Sequence, residues 1–129
     1  MSAASDYLEN KVLDHVLGGT SYTQPTVYVG LWTADDGLES GTVTSEVSGG
    51  SYARQTASFA AASSGSAATD ATITFPTATA SWGTITHIAL MDAVSGGNVL
   101  FHGAVTTSKT IDSGDTFQIS SGNLTITLA

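Results

Sequence analysis

Downstream of Pro25 the chain is a succession of short runs rich in β-branched and aromatic residues, each soon stopped by Gly, Ser, Asp or Pro. The runs are "TVYVGLWTA" (26–34), "SYARQTASFAA" (51–61), "ATITFPTATA" (71–80), "WGTITHIALMDA" (82–93), "NVLFHGAVTTSKTI" (98–111), "TFQIS" (116–120) and "NLTITLA" (123–129). Such residues suit a pleated, half-buried surface, and the punctuation suits turns. Many short strands with Gly-rich turns predict a mainly β fold, an antiparallel β-sandwich or jelly-roll spanning residues 26–129. "SSGSAATD" (63–70) and "DSGD" (112–115) read as turns. "DDGLESGTVTSEVSGG" (35–50) reads as a long acidic loop or a loop with a short strand at Thr42–Thr44.

The first residues follow another period. "SDYLENKVLDHVL" (5–17) places Leu8, Val12 and Val16 on one helical face, widened by Leu13 and Leu17. Asp6 with Glu9 three residues on makes a capping box, with Ser5 as the alternative cap, and the Gly18–Gly19 pair ends the helix. Leu8, Val12 and Val16 are expected to anchor this helix to the sandwich. With 129 residues, no internal repeat and no linker, the chain reads as a single domain, 1–129.

Charge narrows the partners. Only 11% of residues are charged, and the net charge is −8, with Lys11, Arg54 and Lys109 the only cations beside the histidines. No basic footprint for nucleic acid exists, and an anionic membrane is an equally poor partner. Without cysteine there is neither a disulfide framework nor a thiolate metal site. The start "MSAASDYLENK" lacks the charged and apolar regions of a secretory signal, and no run approaches the ~20 apolar residues of a membrane span. A soluble product that begins in the cytoplasm is expected.

Two of the three histidines lie in "THIALMDAVSGGNVLFHGAV" (86–105). Its halves should pair as an antiparallel hairpin around Ala93–Gly96. With Leu90 opposite Val99 and Ile88 opposite Phe101, the large apolar groups share one face, and His87 lies opposite His102 on the other. Two imidazoles are half a metal site; Asp92 points to the other face and no third ligand follows locally. His87 and His102 are therefore expected to be packing or interface groups, with no metal and no other cofactor.

Catalytic patterns are scarce. "GGTSYT" and "SGGSYA" lack the spacing and context of a nucleophile elbow, and no phosphate-binding loop occurs. Asp35, Asp36, Gly37 and Glu39 lack the alternating oxygen ligands of an EF-hand, so this loop reads as solvated. Trp32 and Trp82, with Tyr22, Tyr28 and Tyr52, could form a sugar-binding platform; buried core for Trp32 and a loop-packing anchor for Trp82 is the reading preferred.

"SDYLENKVLDHVLGGTSYT", "VYVGLWTA", "EVSGGSYARQ", "ITFPTATASWGTITHIALMDAVSGGNVLFHGAVTTSKTIDSGD" and the closing "LTITLA" together resemble a small virion protein family of tailed bacteriophages. Its members are often labelled tail-fibre or minor tail proteins and are similar to capsid cement proteins. The resemblance implies a non-enzymatic structural protein of the virion, assembled in the host cytoplasm. Capsid decoration, clamping neighbouring capsid subunits, is the leading expectation. A tail protein, either a fibre subunit or a tail-tip adaptor contacting host glycan, is the alternative, and a free carbohydrate-binding module is a third. Partners would be phage capsid or tail proteins and further copies of the chain, a trimer being favoured. The acidic loop, Asp35 to Glu46, would face solvent or a basic patch on a partner.

Overall fold

A computed structural model describes residues 3–128. Ala129, which ends the last strand-like run, lies outside the described residues. The fold is mainly β, with one N-terminal helix and antiparallel sheets. Its strands are β1 (Ala3–Ala4), β2 (Tyr28–Trp32), β3 (Gln55–Thr56), β4 (Ser66–Ala68), β5 (Ile73–Thr74), β6 (Gly83–Met91), β7 (Val99–Ile111), β8 (Gln118–Ile119) and β9 (Thr125–Thr127). A five-stranded sheet in the order β1-β7-β6-β2-β3 forms one layer, and the pairs β4–β9 and β5–β8 stand apart from it as small sheets.

Alternation assigns the sheet's faces. Val29 lies opposite Leu90 and Leu31 opposite Ile88, and these side chains join the main core with Ile73, Phe75, Trp82, Phe117 and Ile119. The small sheets thus cover this face, with Phe75 edge-on to Phe117 at 5.7 Å. On the other face Trp32, Ala89, Met91 and Val99 form a second buried cluster, closed by Leu38 and Val43 from the 33–47 loop. Both faces of the sheet are covered, which explains a run such as "IALM" that does not alternate.

The long hairpin departs from the expected register. Leu90 pairs with Phe101, Ile88 with Gly103, and Met91 with Val99, so Leu100 is left over in a bulge. The turn is longer than expected: Asn98 N–H donates to Asp92 Oδ1 at 2.7 Å, Asn98 Nδ2 donates to Asp92 Oδ2 at 3.0 Å, and Arg54 grips the carbonyls of Ala93 and Gly96. A shift of two residues keeps Ile88, Leu90 and Phe101 on one face but changes every partner, and the bulge at Leu100 turns Val99 to the other face, away from Leu90 beside which it was expected. Further along, Thr86 alone spans the gap that Val105–Ser108 span on β7, between the pairs His87–Ala104 and Ile85–Lys109. This bulge and Lys109 blunt the outer edge of β7, which β1 covers at Phe101 and His102.

The helix α1 runs over Asp6–Leu13, shorter than the stretch 5–17. Ser5 is its cap: the hydroxyl accepts from Leu8 N–H and donates to the Val99 carbonyl, while Ser5 N–H donates to Leu100 O at 2.9 Å. Asp6 and Glu9 then sit in the first turn, where the helix dipole favours anions. Past Leu13 the chain widens into a π-turn, Asp14–Gly18, closed by Gly19 at φ 78°. Five residues per hydrogen-bonded turn carry the 8-12-16 stripe off its face. Leu8 is 7% exposed and Val12 packs on the core, but Val16 is 69% exposed, so it does not anchor the helix.

Elsewhere the strands are shorter than their runs. Ser51 takes a left-handed φ of 66°, and the 51–61 run pairs at Gln55–Thr56 and, by a single bridge to Thr69, at Phe59. Part of the supposed turn 63–70 is β4, paired with β9. Leu8→Ala should cost about 2–5 kcal/mol by urea denaturation, the usual range for a buried leucine. Val16→Ala should stay within about 0.5 kcal/mol in dilute solution, as surface changes do.

Candidate interaction surface and the polar knot beneath it

Gly30 stands at the centre of β2 and admits the polar group that organises the second face. A Cβ there would lie 2.7 Å from a Trp32 ring carbon and 3.0 Å from both Glu46 Oε2 and Tyr52 Oη. Into that space the Glu46 carboxylate accepts from Arg54 Nε at 2.8 Å, Arg54 Nη2 at 2.7 Å and Tyr52 Oη at 2.7 Å. Tyr52 Oη also accepts from Leu31 N–H at 3.0 Å. Arg54 Nη1 donates to Ala93 O and Gly96 O, each at 2.8 Å, and the guanidinium lies 6.0 Å from the Trp32 ring centre. One side chain thus joins the lead into β3, the 33–47 loop and the β6–β7 turn.

The ionisation of this knot follows from its burial. Arg54 and Glu46 side chains are 4% and 16% exposed. Burial alone would lower the Arg54 pKa, but the hydrogen bonds and charge of Glu46 more than offset it and raise it. Burial, then the bond to Glu46, pushes the Tyr52 phenol far above its ordinary range, so it stays a neutral donor. The sequence signal for the knot is a lone Gly in a strand, which marks close approach, and a single Arg amid alternating small residues.

The histidines take separate partners. His87 lies opposite Ala104 and His102 opposite Ala89, so the two are offset on one face and not cross-strand partners as the hairpin register predicts. His102 Nε2 is 2.6 Å from Glu39 Oε2, and His87 Nδ1 is 2.8 Å from Thr86 Oγ1. The acidic loop folds back over this face, with Asp35 and Asp36 exposed on its outer side. Asp35 Oδ1 accepts from Gly37 N–H at 3.0 Å and Leu38 N–H at 2.9 Å, capping the 3-10 turn Leu38–Ser40, and Asp36 accepts from Ser45. Thr33 N–H donates to Ser45 O and Val47 N–H to Leu31 O, both at 3.0 Å, which lays the loop along β2. The site for a short strand thus lies at Glu46, bridged to Trp32, and not at Thr42–Thr44.

Trp32 is buried at 0% exposure, with its indole N–H unpartnered, under this loop. Trp82 is buried too; its indole N–H donates to Gly50 O at 2.9 Å, and its ring meets Tyr52 edge-on at 5.4 Å. Neither indole offers a face to a sugar. Asp6, Glu9 and Glu39 bring carboxylate oxygens within 4.8 Å of one another, and among the described residues they are the group that could share a cation. At the surface the exposed large apolar side chains are Leu13, Val16, Leu17, Val94 and Leu128, three of them at the end of the helix.

Two outcomes test these assignments. Glu46→Ala strands the buried Arg54 charge and should cost about 3–5 kcal/mol by chemical denaturation; the double change Glu46→Leu, Arg54→Met should cost markedly less. Two backbone N–H donors, then the charges of His102 and His87, hold the Asp35 carboxyl below its ordinary value. A lowered folded pKa stabilises above the unfolded value, about 3.9, and that contribution is lost as pH falls through the folded pKa. The denaturation midpoint should therefore drop below about pH 4, and Asp35→Asn should flatten the drop; superimposable profiles would refute the assignment.

No curated protein matches the chain. A family model described as podophage GP4 fiber I protein gp80 matches residues 3–127, the helix and every strand included. A fibre protein is a structural part of the particle and contacts other tail proteins. The chain belongs to the podophage GP4 fiber I protein gp80 family and is a component of a tailed-phage virion.

Proposed function

We propose that this chain is a non-enzymatic structural unit of the tail fibre, used in several copies, with a threefold homo-oligomer as its working form. The observation that carries the reading is the family match over residues 3–127. It favours the tail over capsid decoration, which was the leading expectation from the sequence. The geometry supports the same reading. Glu46, Arg54, Tyr52 and Asp35 spend their hydrogen bonds fastening loops to the sheet, and the outside carries hydroxyls, small residues, a few apolar side chains and scattered acids such as Asp6, Asp14, Asp36, Asp70 and Asp112. Only 11% of residues are charged, so contacts placed between these acids leave few charges to desolvate, which suits repeated contacts between proteins.

Antibodies to the chain, imaged on virions by electron microscopy, test the reading. Label is expected at the tail, in copies that are a multiple of three. Particles lacking the chain should keep their genome on heating as complete particles do, and fail to adsorb to hosts. Label spread over the head in step with the capsid subunit, with heat-fragile particles in its absence, would restore capsid decoration.

A further inference from the structure

Where β7 leaves the register of β6 at its wide bulge, a cleft of about 320 Å³ opens beside the sheet. One wall is β7 from Phe101 to Thr106, and the other is the segment Asn123–Ile126. Ile88, Phe101 and Leu124 give it an apolar side, and each is only partly buried. Thr106, Asn123 and Thr125 give it a polar one. These three side chains are exposed, and among the described residues none has a hydrogen-bond partner within the chain. Asn123 is nonetheless held in place: Gly122 N–H donates to Thr69 O at 2.8 Å, and Asn123 N–H donates to Ser120 O at 3.0 Å. The ionisable residue along the cleft, His102, turns its imidazole to the other face of the sheet, where Glu39 lies at 2.6 Å.

We propose that this cleft is a binding site for a neutral sugar. The proposal goes beyond the fibre reading and does not depend on it. A sugar ring carries hydroxyls that both donate and accept, beside C–H faces that pack on apolar groups. The Asn123 amide offers two donors and an acceptor, and each threonine hydroxyl offers both roles. The apolar side of the cleft, with the Phe101 ring in it, meets the C–H face. Other occupants fit less well. A wholly apolar ligand would bury the free amide and hydroxyls without partners, which is costly. A cation finds no carboxylate in the cleft, and an anionic sugar finds no cation there while the chain carries a net charge of −8. An extended peptide would need an unbroken row of backbone groups along β7, and the bulge interrupts it. The volume sits at the small end of ligand cavities, about 300–1,000 Å³, which suits one or two sugar rings.

Titration of the full chain with sugars, followed through its backbone amides by NMR, tests this. The neutral probes are the methyl glycosides of glucose, galactose, mannose and N-acetylglucosamine; the anionic ones are glucuronic acid and N-acetylneuraminic acid. At least one neutral glycoside should shift the amides of residues 101–106 and 123–126 saturably, with a dissociation constant of about 1 mM, the strength open to so small a ligand. The anionic sugars should leave those amides unmoved at about 50 mM. Asn123→Ala removes the amide and should weaken binding about tenfold. Thr106→Trp fills the cleft and should abolish it. Both positions are exposed, so both variants should melt as the wild type does. Four results overturn the proposal: no neutral glycoside moves those amides at about 50 mM, the shifts fall elsewhere on the chain, the anionic sugars bind as well, or both variants bind as the wild type does. Each of these leaves the tail placement to the antibody label.

Discussion

The structure depends on one buried ion pair. Arg54 and Glu46 meet through two hydrogen bonds, at 2.8 and 2.7 Å, and the remaining donors of Arg54 hold two carbonyls of the β6–β7 turn. A lysine could not make this contact, because it offers one point charge where the guanidinium offers a planar fork. Burying two charges is costly, and the cost is met because nearly every polar atom in the knot has a partner, Tyr52 Oη and Leu31 N–H included. What the pair gains is geometry. Two neighbouring segments and the distant β6–β7 turn are fixed against the second face of the sheet, and Trp32 is sealed beneath them. Gly30 is required for this, since any side chain would occupy the carboxylate's space.

Covering both faces of the sheet explains why parts of the fold were legible in the sequence and others were not. The strand runs, the start of the helix and the "DSGD" turn were readable because local chemistry decides them; in that turn Asp112 N–H donates to the Asp115 carboxylate at 2.9 Å. The register of the β6–β7 hairpin was not. Alternation fixes which face a side chain takes, but a slip of two residues leaves the faces unchanged, and here the choice fell to Asp92, Asn98 and Arg54, the last from a distant segment. For the same reason His87 and His102 share a face without being partners. The fate of the acidic loop was hidden too. Asp35 caps Gly37 and Leu38, Asp36 accepts from Ser45 and Glu46 pairs with Arg54, while the partner of Glu39, His102, comes from a distant strand, and no local pattern announces which acid takes which partner. The end of the helix misled because the 3.6-residue period carries no warning of a wider turn.

For a fibre component this economy has a use. The chain has 11 acidic side chains and few cations; Glu46 and Asp35 are spent as internal clamps, and the outside keeps hydroxyl-rich strands, the other exposed acids and a small apolar tail at the helix end. Rigidity comes from loops fastened to a sheet, and the means of contact from features the core leaves over. The edge of the longest strand is blunted by a bulge and by Lys109, which steers association away from open-ended strand pairing.

Native-state hydrogen exchange on Arg54→Lys tests the central claim most directly. If Arg54 fastens three segments at once, amides of residues 31–47 and of the 92–98 turn lose protection together, while those of the β4–β9 pair keep theirs. Loss confined to the residues beside position 54, with the 33–47 loop and the β6–β7 turn as protected as before, would contradict it.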